Sequence, residues 1–132
     1  MELFKWSEDY SVKNEILDNE HKKLFNIINE LYTAFMNREE DDKIGNLLKE
    51  LHEYTIYHFK HEEELLKEQN NPISTEHKAK HKDFIEKIKV LKEKHENGKA
   101  AVKYEMMNFL RSWLSDHIKG TDKEYSYIFT KV

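Results

Sequence analysis

The sequence predicts an all-α protein, an up-down-up-down four-helix bundle with an N-terminal arm. Three observations predict it. Long segments carry apolar residues at alternating spacings of three and four, which places them on one helix face. Short polar links, "NREEDD" at 37–42, "NNP" at 70–72 and "NG" at 97–98, divide the chain into four such segments. No strand-like alternation competes with them.

Each element follows in order. Residues 1–16 hold Phe4, Trp6, Tyr10 and Val12 without clear periodicity, so they read as an arm packed along the bundle. The first helix, roughly 17–37, carries Leu17, Leu24, Ile28, Leu31 and Phe35. The second, roughly 42–69, carries Leu47, Leu51, Tyr54 and then Leu65. The third, roughly 74–96, carries Phe84, Ile88 and Leu91, with Ser74 or Thr75 as its cap and Pro72 just upstream. The fourth, roughly 100–119, carries Val102, Met106, Phe109 and Trp113, with Gly120 near its end. A short C-terminal segment, 122–130, completes a single domain over 1–132.

Composition narrows the function classes. A chain of 132 residues supports one modest core. No run of 18 apolar residues is present to span a bilayer, and "MELFKWSEDY" has no secretory pattern, so a soluble cytoplasmic protein is expected. The absence of cysteine rules out disulfides, thiolate metal sites and a cysteine nucleophile. A net charge of −4, from 26 acids and 22 bases mixed along the chain, argues against a nucleic-acid partner.

The histidines then occupy the stripes. His21 fills the rung missing between Leu17 and Leu24. His58 and Glu62 fill the gap between Tyr54 and Leu65, and His81 and His77 continue the ladder below Phe84. His117 is the step after Trp113. Every helix thus points at least one imidazole inward, and burying unpartnered polar groups costs about 1–3 kcal/mol each. One buried histidine is ordinarily a hydrogen-bonded core residue; five on four helices are best explained by a shared metal centre.

Spacing agrees. His58/Glu62 and His77/His81 are i,i+4 pairs, whose side chains leave one helix face about 5–6 Å apart at Cβ. His117 and Asp122 stand about 140° apart on an ideal helix, so they converge only where the helix breaks or widens, near Gly120. His61, about 60° round the helix from His58, reads with Glu63 and Glu64 as a solvated or bundle-edge face. His52 reads as surface, His95 as a helix-end residue and Asp116 as solvent-facing.

The pieces "LDNEHKKLFNIINEL", "YTIYHFKHEEELL", "HKAKH" and "WLSDHIKGTD", in this order, together with the aromatic "WSEDYSV", resemble the hemerythrin family, specifically its single-domain bacterial members. The departure is "NNPIS", where many relatives carry an aromatic before the proline; it touches a loop and no ligand position. The resemblance implies a non-haem di-iron site. His77, His81 and His117 would bind one iron, His21 and His58 the other, and Glu62 and Asp122 would bridge them. With two octahedral irons and an oxo or hydroxo bridge, one coordination position remains, on the two-histidine iron. In the family O2 binds there as peroxide while both irons, Fe2+ before binding, become Fe3+, and the step reverses on release. The implied role is carriage, storage or scavenging of O2, without catalysis. Leu24, Phe59, Phe84, Trp113 and Leu114, one step or one turn from the ligands, are candidates for the O2 pocket and equally for plain core.

Rival readings are weaker. A ferritin-like oxidase needs paired Glu-x-x-His motifs, and no histidine here has glutamate three residues before it. A zinc hydrolase would often carry HExxH, which does not occur. The remaining alternative is an O2 or NO sensor acting through a separate protein partner of unknown identity; the absence of an attached signalling domain favours carriage, storage or scavenging.

Overall fold

The computed structural model describes residues 4–68, 74–98 and 102–121. Among these, a 3-10 turn at Glu8–Tyr10 precedes four helices: α1 (Glu15–Met36), α2 (Asp41–Glu68), α3 (Thr75–Glu96) and α4 (Val102–Asp116). A π-helical turn, His117–Thr121, follows α4 without a break. The short links force each helix to run antiparallel to the one before it, and α1 closes the bundle against α4. No described helix is long and apolar enough to cross a membrane.

Local chemistry sets the ends of these helices. The Asn14 side chain accepts from the Leu17 amide at 3.0 Å and starts α1. Ser74, rather than Thr75, caps α3: its hydroxyl accepts from the His77 amide at 3.0 Å. The cap therefore fixes the backbone of an inward-facing histidine. At the far end of α3, Gly98 takes φ 73°, a left-handed turn that glycine enters without steric cost.

The α1 stripe is buried as read, with Leu17, Leu24, Ile28 and Leu31 fully enclosed. Two other stripes shift. On α2, Thr55 and Leu66 are fully buried, whereas Tyr54 and Leu65 beside them are half-buried. Tyr54 stays at the seam edge because its phenol needs a partner, and it donates to the Glu20 carbonyl at 3.0 Å. Thr55 tolerates burial by donating to the Leu51 carbonyl at 2.6 Å. On α4 the seam runs Val102, Met106, Leu110, Leu114, while Phe109 and Trp113 flank it. Their rings reach Phe84 from the side, at 5.5 and 4.4 Å between centroids.

The arm packs chiefly on α1. Asn29 accepts from the Phe4 amide and donates to the Phe4 carbonyl, both at 2.8 Å. Phe4 stacks on Phe25 at 4.8 Å, and Tyr10 meets the same ring edge-on. Asp18 then accepts from the Ser11 hydroxyl at 2.7 Å and the Val12 amide at 2.8 Å. This holds Val12 in a small apolar cluster with Leu17 and Leu66, separate from the main core. Leu17 lies one turn before His21 and Leu66 one turn after Glu62, so this cluster covers one side of the histidine layer while the main core covers the other.

The revised α2 register has a direct consequence for stability. Leu66→Ala should destabilise the metal-free protein by about 2–5 kcal/mol, the range for emptying a fully buried leucine site. Leu65→Ala should cost less than half as much. Denaturant midpoints of the two variants check this; equal losses would restore Leu65 to the seam.

Candidate metal centre

Six inward-facing side chains meet in one layer of the bundle. His21 comes from α1, His58 and Glu62 from α2, His77 and His81 from α3, and His117 from the junction of α4 with the π turn. All are buried; His77, the most accessible, is 7% exposed. They form two groups, Glu62–His77–His81–His117 and His21–His58–Glu62, in each of which the donor atoms lie within 4.8 Å of one another.

Glu62 belongs to both. Its Oε2 faces the Nε2 atoms of His21 and His58 at 3.7 and 3.4 Å. Its Oε1 faces the Nε2 atoms of His77 and His81 at 3.4 and 3.3 Å. His81 and His117 bring their Nε2 atoms to 3.0 Å. One carboxylate is thus divided, an oxygen to each group of imidazoles.

A cation fits this donor set. Donors about 2.1 Å from an ion sit about 3.0 Å apart at right angles and about 3.4 Å apart in a tetrahedron, close to the spacings here. Both Glu62 oxygens are fully enclosed and accept no hydrogen bond among the described residues. The imidazoles around them stand off beyond the roughly 2.7–2.9 Å of a charge-assisted hydrogen bond. Burial opposes ionisation of Glu62, yet His21, His58, His77 and His81 overcome it and hold the carboxyl well below its usual range. An enclosed anion ringed by imidazole nitrogens at coordination-edge distances is chemistry suited to a metal.

Outer carboxylates orient two of the rings. His58 Nδ1–H donates to Glu20 Oε1 at 2.7 Å, and His81 Nδ1–H donates to Glu63 Oε2 at 3.2 Å. With Nδ1 carrying the proton, each Nε2 presents its lone pair to the layer. Aromatic faces hold two rings: Phe59 stacks on His81 at 3.8 Å and Trp113 on His117 at 4.3 Å. Leu24, Phe59, Phe84 and Leu114 are buried around the layer, and Trp113 is half-buried beside it.

The π turn begins at His117 and includes Gly120. Its i→i+5 bonding stacks residues five apart, as an α-helix stacks residues four apart. This is the widening that the His117–Asp122 spacing demands, although Asp122 itself lies outside the described residues. Asp116 is exposed.

Other polar residues depart from the sequence reading. His61 is no free surface group; its Nδ1–H donates to Glu20 Oε2, and its side chain is 30% exposed. Glu63, expected on a solvated or bundle-edge face, reaches His81. Glu20, unremarked in the sequence, serves both His58 and His61. The signal that could find Glu20 and Glu63 is adjacency, since each neighbours an inward-facing residue in the chain. His52 and His95 stay outside the layer, both half-buried. Burial, helped by Lys92 and Lys89, lowers the basicity of His52.

Residues 12–127 match the Hemerythrin HHE cation binding domain. The chain belongs to the hemerythrin family. It is 34% identical to a bacteriohemerythrin of Clostridium acetobutylicum, over 93% of this chain and 98% of that one. A bacteriohemerythrin of Stenotrophomonas maltophilia is 29% identical, over 96% of this chain and 81% of its own length. The crystal structure of wild-type hemerythrin superposes with a TM-score of 0.85 at 29% identity, covering 98% of this chain and 99% of that one. The four-helix bundle and its His/Glu cluster are therefore those of a hemerythrin domain built to bind cations.

Proposed function

We propose that the protein binds O2 reversibly at a non-haem di-iron site, for carriage, storage or scavenging. The observation that carries this reading is the division of Glu62 between a group of three imidazoles and a group of two. His77, His81 and His117 would hold one iron, His21 and His58 the other, and Glu62 would bridge. Asp122 would supply the second carboxylate bridge, beside an oxo or hydroxo bridge; the π turn at His117–Thr121 supports that role. The iron pair, when bound, supplies the two electrons that O2 takes up and returns.

The remaining work falls to the protein. Unequal numbers of imidazoles leave the His21–His58 side with room for an external ligand. Reversible binding needs a site without water or spare protons, and Glu62 is the one fully buried acid among the described residues. Leu24, Phe59, Phe84, Trp113 and Leu114 would exclude water on one side, and the Val12–Leu17–Leu66 cluster on the other. With no other fully buried acid among the described residues to drive O2 reduction onward, the reading favours binding over catalysis.

Reconstitution with Fe2+ under anaerobic conditions should load two irons per chain. Admitting air should then produce a new visible absorption band that disappears when O2 is removed. A single iron, or a band that cannot be reversed, would overturn the reading. Leu114, one turn before His117, tests the pocket: Leu114→Ala should oxidise several-fold faster in air with iron content unchanged. Oxidation at the parent rate would remove Leu114 from the pocket.

A further inference from the structure

We propose that Glu20 and His61 act together as positioning residues for His58, and through it set the redox balance of the two-histidine metal position. The inference rests on the di-iron reading above.

Three bonds from α2 end on one residue of α1. Tyr54 Oη donates to the Glu20 carbonyl at 3.0 Å, His58 Nδ1–H to Oε1 at 2.7 Å, and His61 Nδ1–H to Oε2. Positions 54, 58 and 61 follow the i, i+4, i+7 pattern of one helix stripe, so three residues of α2 meet Glu20 along one line. Burial raises the cost of a charge there, for the Glu20 side chain is only 11% exposed. The His58 and His61 imidazoles meet it there, one N–H on each carboxylate oxygen. His61 thus has a task of its own: it occupies the second oxygen and keeps Glu20 aimed at His58.

The arrangement is unequal between the two metal positions. On the three-imidazole side, the outer carboxylate Glu63 lies 3.2 Å from His81 and is 29% exposed, so water screens it. On the two-imidazole side, Glu20 is closer and drier. A carboxylate on the outer nitrogen makes an imidazole a more basic ligand, which favours the higher oxidation state of the metal it holds. The position with fewer histidines therefore carries the stronger outer anion. Glu20 precedes His21 in α1, so the carboxylate that orients the His58 ring sits beside the other histidine of that position.

Glu20→Gln removes the charge while its amide oxygen still accepts from His58 Nδ1–H, and its NH2 donates to His61 Nδ1 in that ring's other tautomer. Iron-loaded protein carrying E20Q should keep two irons and a folded helical spectrum, but its reduction potential should move upward, toward the ferrous form. His61→Ala should move the potential in the same direction by less, and His61→Gln, which restores a donor, should bring it back. Glu20→Ala loses orientation as well, and its affinity for iron should fall about 10–100-fold. Glu64→Gln, at an exposed position on α2, removes an equal charge and should leave the potential unmoved. Two irons in the parent with E20Q at the parent potential would overturn this inference alone, as would equal shifts from E20Q and E64Q. Fewer than two irons in the parent would instead overturn the di-iron reading.

Discussion

A carboxylate at the centre of a helical bundle needs positive or hydrogen-bonding partners, and Glu62 has four imidazoles around its two oxygens. That constraint organises the molecule. Two residues on α2, two on α3 and one each on α1 and the end of α4 must arrive at one level. The i,i+4 pairs on α2 and α3 do this without backbone distortion. Shifting any helix by one residue would turn its histidine about 100° away from the layer. The polar layer in turn requires dry surroundings, because water would weaken each electrostatic contact within it. The main core provides this on one side and the Val12–Leu17–Leu66 cluster on the other.

The N-terminal arm therefore does more than cover α1. Asp18 binds the Ser11 hydroxyl and the Val12 amide, and so holds Val12 in the cluster with Leu17 and Leu66 beside the layer. The same arm reaches the π turn, where the Lys119 ammonium lies 4.6 Å from the Tyr10 ring centre. A cation held over an aromatic face is a modest attraction, on the order of 0.5–1 kcal/mol at an exposed site. Its position matters more than its strength, since it joins the arm to the widened turn that follows His117.

The bundle is legible in the sequence because helices buried on one face must repeat apolar residues at threes and fours. The inward histidines are legible for the same reason, as each replaces a rung of an apolar ladder. Phase on a single helix says little about what a neighbouring helix places opposite. This is why His61 reads only as part of a solvated or bundle-edge face when Glu20 of α1 stands across from it. It is also why hydrophobicity selects Phe109 and Trp113 for a seam that Leu110 and Leu114 occupy. Large rings can serve a core from its flank, and the sequence carries no mark of that choice. Convergence of His117 with Asp122 would need a wider turn of unspecified form, and the described residues carry a π turn at His117–Thr121.

The central claim is that Glu62 gives one oxygen to each of two metal ions. Diffraction from crystals of the iron-loaded protein, with anomalous data at the iron edge, measures this most directly. Two anomalous peaks about 3.5–4 Å apart or slightly closer are predicted, one beside Oε1 with His77, His81 and His117, the other beside Oε2 with His21 and His58. The same map would show whether the Asp122 carboxylate spans both peaks. A single peak, or both Glu62 oxygens bound to one ion, would contradict the account.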